Sequence, residues 1–123
     1  MPRRRITHNE GINALNAYLL SGDSHTAEFV TAVRYLLEEL SEVAPGNTVE
    51  VRVPPYGATQ CIEGPRHTRG TPPNVVELRP EIWVELAIGK ITWSEAQDRG
   101  FLNASGVRAD LSTVIPLKLK GIN

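Results

Sequence analysis

A stretch rich in proline and glycine, between Pro54 and Glu77, constrains the fold of this chain more than any other segment. Proline fixes its own φ and disfavours a helical conformation in the residue before it, so Pro65 ends the extended segment at Ile62. The stretch therefore predicts a strand, a rigid loop and a second strand that begins at Asn74. The loop contains a histidine and two arginines, and the chain's single cysteine lies just before it. These groups make the loop a candidate functional site.

The composition limits the class of protein. The chain has 123 residues, of which 41% are hydrophobic and 22% charged, as expected for one globular domain. The formal net charge of −1 predicts no nucleic-acid partner, because proteins that bind nucleic acids present a basic surface. No apolar run approaches the ~20 residues that span a bilayer, and no apolar segment follows the arginines near the start.

Cysteine and histidine usage limits the chemistry. One cysteine excludes an internal disulfide, and three scattered histidines have no metal-ligand spacing, so we predict no metal and no cofactor. A lone cysteine also fits the reducing cytoplasm, where we place the protein. We expect one domain over 1–123 with flexible ends at 1–6 and 118–123. The oligomeric state is left open.

Two helices are predicted in the first part of the chain. Thr7 and Glu10 have the spacing of a capping box. The Asp23-Ser24 pair offers an N-cap to a second helix, over 24–43. Its apolar residues recur at steps of three and four, and we expect this face to pack on the sheet. The residues of this face are Ala27, Val30, Val33, Leu37 and Leu40.

Strands and short helices are predicted in the rest of the chain. Valines alternate with charged residues over 48–53, which is typical of a half-buried strand, and 58–62 is predicted as its hairpin partner. The later elements follow from alternation, caps and turn residues. They are a strand over 74–78, a helix from Pro80 to Gly89, a helix over 93–99 capped by Thr92, a strand over 101–104 and helical turns over 109–114.

Two segments resemble a known family. VRVPPYGATQCIEGPRHTRGTPPNVVE and the later IWVELAIGKITWSEAQDRGFLNASGVRADLS look like actinobacterial sterol carrier family proteins, a bacterial branch of the sterol-carrier-protein type 2 group. The first segment is the more specific, and the resemblance extends from about Thr31 to Leu117. It implies an α+β fold, with helices on one face of a mostly antiparallel sheet of four to five strands. In animal members, a tunnel between sheet and helices holds fatty acyl chains or sterols.

Arg66 and Arg69 are the sharpest binding candidates. Two guanidinium groups in a proline-braced loop can present planar forks to a phosphate or carboxylate. Alternatively, one of them holds the loop to the sheet. Because two close guanidinium groups repel, we expect one to form a bidentate contact with Glu63 or Glu77 and the other to stay exposed.

Other candidate residues have simpler interpretations. We expect Cys61 to be buried and inert. The alternative is a reactive thiolate whose pKa is lowered by Arg66 or His67. Trp83 and Trp93 are expected to pack in the core. The alternative is that they line a ligand cavity. Asn74 is expected to bond a loop carbonyl or amide group.

The sequence thus favours noncatalytic binding of a small amphipathic, lipid-like ligand between helices and sheet. The central loop, which we define as Glu63–Asn74, would hold the polar head of the ligand. One alternative is an interaction module that uses this loop as a rigid epitope for a protein partner. A second is an enzyme that uses Cys61 or His67. The predicted ligand-binding residues are Glu63, Arg66, His67, Arg69, Asn74, Trp83 and Trp93.

Overall fold

The computed structural model describes residues 5–64 and 74–122, which form four helices and a four-stranded sheet. This is the predicted α+β class. In chain order the elements are α1 His8–Ser21, α2 Ala27–Val43, β1 Val49–Val53, β2 Gly57–Cys61, β3 Asn74–Leu78, α3 Pro80–Ile88, α4 Trp93–Asp98 and β4 Leu102–Ser105. No helix within these ranges is both long enough and apolar enough to cross a membrane.

Local caps set where the helices begin. The Thr7 hydroxyl accepts a hydrogen bond from the Glu10 amide at 3.1 Å and lies 3.1 Å from its carboxylate, which confirms the predicted start of α1. The predicted start of α2 was wrong. Thr26 caps this helix by accepting from the amide of Phe29 at 3.1 Å, whereas Asp23 accepts from the His25 amide at 2.9 Å and holds the preceding turn.

The buried face of α2 is wider than predicted. Val33, Leu37 and Leu40 are buried as expected, but Ala27 is exposed and Val30 only half-buried. α1 covers one side of α2, while β2 and α3 contact other parts of it. Residues on more than one side of α2 are therefore buried. The buried residues are Phe29, Ala32, Val33, Tyr35, Leu36, Leu37 and Leu40.

A glycine allows α1 and α2 to pack closely. Gly11 of α1 lies against the ring of Tyr35 of α2, and a Cβ atom at this position would overlap the ring. Tyr35 is fully buried, and its hydroxyl shares a 2.6 Å hydrogen bond with Nδ1 of His8. Glycine is therefore needed at position 11 to make room for the Tyr35 ring, and not to allow an unusual backbone conformation.

The sheet has the order β2-β1-β3-β4. β1 and β2 form the predicted antiparallel hairpin, β3 and β4 are also antiparallel, and β1 and β3 are parallel neighbours. Val49, Val51 and Val53 face the core with no exposed surface, whereas Glu50 and Arg52 on the other face are half-buried. The sheet therefore packs one face against the helices' buried residues in a single core.

The helices after β3 follow the sequence signals closely. α3 starts with Pro80 at its first turn and ends at Gly89, whose φ of 85° is left-handed. α4 has a complete capping box, in which the Thr92 amide donates to the Glu95 carboxylate at 3.0 Å and lowers the pKa of Glu95. These local signals were sufficient to predict both elements.

The C-terminal segment differs from the prediction. Residues 109–114 form a turn and no helix; the amides of Val114 and Ile115 both donate to the carbonyl of Leu111 at 3.0 Å. Asp110 accepts from the Ser112 amide at 2.7 Å, which competes with helical hydrogen bonding. Further on, the Asn16 side chain donates to the Gly121 carbonyl at 2.8 Å, so this end lies against α1. The flexibility expected for 118–123 stays a prediction.

We expect Leu37→Ala to lower the free energy of unfolding by about 2–5 kcal/mol, because Leu37 is buried and its removal leaves a cavity. Leu20→Ala is the matched control. Leu20 is 91% exposed, so its loss should change stability by less than about 0.5 kcal/mol. Urea denaturation measures both, and equal midpoints for the two variants would contradict the assigned core.

Gly11→Ala should destabilise the protein even though alanine favours a helix by about 1 kcal/mol. The added methyl group meets the ring of Tyr35, and overpacking of this kind costs about 1–3 kcal/mol or more. In a Tyr35→Ala background the ring is gone, so Gly11→Ala should become neutral or stabilising. A double-mutant cycle by thermal denaturation tests this reversal, and an unchanged penalty would show that the ring is not responsible.

Candidate functional site

The central loop is described only at its two ends. The predictions for Arg66, His67 and Arg69, including the bidentate contact with an acid, lie outside the described residues. Glu63 is exposed where the loop begins, and Asn74 is 2% exposed where it ends.

The start of the loop has a strained backbone. Ile62 adopts a φ of 68°, which is rare for a β-branched side chain and costs about 1–3 kcal/mol. Two hydrogen bonds hold it: its amide donates to the Ala44 carbonyl at 2.7 Å, and its carbonyl accepts from the Thr48 amide at 3.1 Å. Gly46 lies so close to the Ile62 carbonyl that a Cβ atom would not fit. The loop therefore leaves the sheet in one defined direction.

Asn74 connects three segments at the other end of the loop. Its Nδ2 donates to the Thr48 carbonyl at 2.9 Å, and its Oδ1 accepts from the Arg108 amide at 2.9 Å. This confirms the expected bonding to a carbonyl and an amide. Asn74 thus joins the beginnings of β1 and β3 to the segment after β4.

Trp83 and Trp93 belong to the core, as expected. Trp83 has no exposed surface, and its Nε1 donates to the Val33 carbonyl of α2 at 3.3 Å. Trp93 is 6% exposed and lies in the same cluster. Both tryptophans belong to the buried cluster shared by helices and sheet, the region where the sequence predicted the ligand.

Cys61 is fully buried on the inner face of β2, opposite Val49 of β1. Burial raises the pKa of its thiol from an ordinary value of 9.0 to about 12. The group is therefore protonated at neutral pH, which is unfavourable for a nucleophile. The expectation that Cys61 is buried is confirmed.

A cleft of about 310 Å³ lies at the end of the sheet away from the base of the central loop. Because β1 and β3 are parallel, their C-terminal ends meet there, and β4 begins beside the end of β3. Three separate segments line the cleft. Its residues are Pro54, Glu77, Leu78, Arg79, Gly100, Phe101, Leu102 and Asn103.

The walls of this cleft have two kinds of surface. Phe101 and Pro54 provide apolar surface, and the guanidinium of Arg99 lies over the Phe101 ring at 5.9 Å from its centroid. Glu77 and Arg79 provide opposite charges, and neither forms an ion pair with another described residue. The cleft can therefore contact both the apolar and the charged part of a ligand.

Sequence reasoning missed this cleft. Its residues carry no motif and come from three parts of the chain. The available signal was their position directly after predicted strands, since the C-terminal ends of parallel strands are common ligand sites. The parallel pairing of β1 and β3 was not predicted, so that signal could not be used.

Metal binding has no support in the described part of the chain. Within 5–64 and 74–122, no group of three His, Cys, Asp or Glu side chains is arranged to hold a metal ion.

We expect Cys61 to react with a thiol reagent in the native protein at least about a thousandfold more slowly than in the denatured protein. The reason is that the buried thiol must wait for an opening of the structure. A Leu20→Cys, Cys61→Ala variant is the matched control and should react quickly, because position 20 is exposed. Fast native labelling of Cys61 at neutral pH would restore the nucleophile hypothesis.

Comparison with known proteins agrees with this architecture. The family model described as bacterial SCP ortholog matches residues 25–117, which includes every strand and the three later helices. A search of curated proteins finds no match. The actinobacterial origin inferred from the sequence stays a prediction. The match extends over well beyond half of the chain, and the protein belongs to the family of bacterial sterol carrier protein orthologues.

Proposed function

We propose that this protein binds a small amphipathic, lipid-like ligand without chemical conversion, and that the ligand occupies the cleft at the C-terminal ends of β1 and β3. The observation that carries the proposal is the composition of the cleft walls. They combine an aromatic ring with two opposite charges that have no described ion-pair partner. Membership of a sterol carrier family supports a carrier function.

The size of the cleft limits what it can hold. A volume of about 310 Å³ is at the lower end of the range for ligand pockets. It suits a short amphiphile, or one end of a longer molecule whose remainder stays outside. Because Trp83 and other large side chains fill the interior, the proposed ligand lies at the sheet end and not between the layers.

The predicted contribution of the central loop is a separate proposal. Asn74 starts β3 and Leu78 ends it, so their Cα atoms are separated by about 13 Å of extended chain. A small ligand in the cleft does not contact Asn74. The anion-binding role of Arg66 and Arg69 and the interaction-module alternative both depend on residues 65–73, and both stay predictions.

The noncatalytic part of the proposal is supported by the state of Cys61. Its raised pKa keeps the thiol neutral, and its position on the core side of β2 keeps it from a substrate. The cytoplasmic location stays a prediction from cysteine usage.

The proposal is tested by titrating the protein with single-chain amphiphiles of increasing chain length, kept below their micellar concentrations. Amide NMR shifts should move at Gly100, Leu102 and Asn103, and affinity should rise with chain length until the cleft is filled. Phe101→Ala removes apolar wall worth about 1 kcal/mol, which should weaken binding about fivefold.

Leu20→Ala is the matched control, since it removes an exposed apolar side chain that does not line the cleft. It should bind as the unmodified protein does. If no amphiphile shifts the cleft resonances, or if Phe101→Ala binds with unchanged affinity, the proposed function is wrong.

A further inference from the structure

We propose that the cleft selects a zwitterionic polar group, whose cation binds Glu77 and whose anion binds Arg79. This inference rests on the proposed function and adds the chemical class of the ligand. It follows from a charge pattern on the outer face of the sheet. Two neighbouring strands carry the same sequence of residue types, but the charges form an ion pair on only one of them.

The pattern is Glu, apolar residue, Arg. On β1 it is Glu50-Val51-Arg52, and here the two charges form an ion pair between Arg52 Nε and Glu50 Oε2. At the end of β3 it is Glu77-Leu78-Arg79, and here no ion pair forms between the two charges. The closed pair belongs to the sheet surface, whereas the open pair lines the cleft.

Alternation of the strand places both charges of the open pair on the same side. Glu77 lies in β3, and Arg79 continues the extended conformation with φ −69° and ψ 151°. Two residues of extended chain separate their Cα atoms by about 6.6 Å. Both side chains can therefore reach one small ligand whose opposite charges are a few ångströms apart.

Arg52 forms no ion pair with Glu77. Arg52 is the register partner of Glu77 on the neighbouring strand, but its guanidinium is directed to Glu50. Asn103 lies opposite Glu77 on β4 and carries no charge. The Glu77 carboxylate is therefore available to a ligand ammonium group.

The charges around the cleft favour a zwitterion over a ligand of one sign. A ligand with only negative charge would gain from Arg79 and from the guanidinium of Arg99, but it would meet the carboxylate of Glu77. A ligand with only positive charge would meet Arg79 and the guanidinium of Arg99 that lies over Phe101. A zwitterion gains from both signs. Its source can be a free small molecule or the head group of a lipid, and the chemistry is the same.

The test compares four soluble probes with matched groups. Dihexanoyl phosphatidylcholine and dihexanoyl phosphatidylglycerol share acyl chains and differ in head-group charge. Glycerophosphocholine has the zwitterionic head without chains, and octyltrimethylammonium is purely cationic. Each is titrated below its micellar concentration, and the dissociation constant is read from amide NMR shifts at the cleft.

The expected result is that the phosphatidylcholine probe binds more tightly than the phosphatidylglycerol and ammonium probes. Glu77→Gln should weaken binding of the zwitterionic probe about threefold, because its attraction to the ligand cation is lost. The same change should strengthen binding of the anionic probe, because a repulsion is lost. Arg79→Gln should weaken both. The controls Glu28→Gln and Lys90→Gln remove the same charges from residues that do not line the cleft, and they should change neither affinity.

Glycerophosphocholine distinguishes the two sources. Weaker affinity than that of the phosphatidylcholine probe indicates a lipid head group. Equal affinity indicates a free zwitterion, and it would contradict the amphipathic ligand of the proposed function while leaving the charge selectivity in place. The proposal is overturned if the anionic probe binds more tightly, or if Glu77→Gln leaves zwitterion binding unchanged; the proposed function survives either result. If no probe of any charge binds, both are wrong.

Discussion

The parallel pairing of β1 and β3 is the constraint on which the rest of this structure depends. Its register places Val51 beside Val76, both fully buried. A shift by one residue would turn Glu50 or Glu77 into the core, so burial holds the register strongly. This pairing brings Pro54 and Arg79 together at one end of the sheet, and Thr48 and Asn74 together at the other.

The two ends of the central strands serve different purposes. At the N-terminal end, Asn74 is buried and fully engaged with Thr48 and Arg108, while Ile62 holds a strained conformation. At the C-terminal end, Glu77 and Arg79 have no described ion-pair partner and border an open cleft. The polar groups at the first end are thus used within the fold, and the charges at the second end are the ones to which we assign the proposed recognition.

The helix layer explains why binding is assigned to the end of the sheet. Gly11 lets α1 approach Tyr35 of α2, and Trp83 joins α3 to α2 through the Val33 carbonyl. These contacts fill the interior with large side chains. Family membership therefore places this chain among the sterol carriers by fold, while the position of the proposed site is argued from the chain's own packing.

The sequence by itself determined the α+β class, the hairpin of β1 and β2, the caps at Thr7 and Thr92, and the burial of Cys61. Each depends on residues close in the chain or on a simple alternation. The tertiary structure decided the start of α2, the turn at 109–114 and the cleft. The cleft could not be read from the sequence because strand pairing brings its three segments together. The open Glu77 and Arg79 pair has the same local pattern as the closed pair on β1, so only its surroundings make it different.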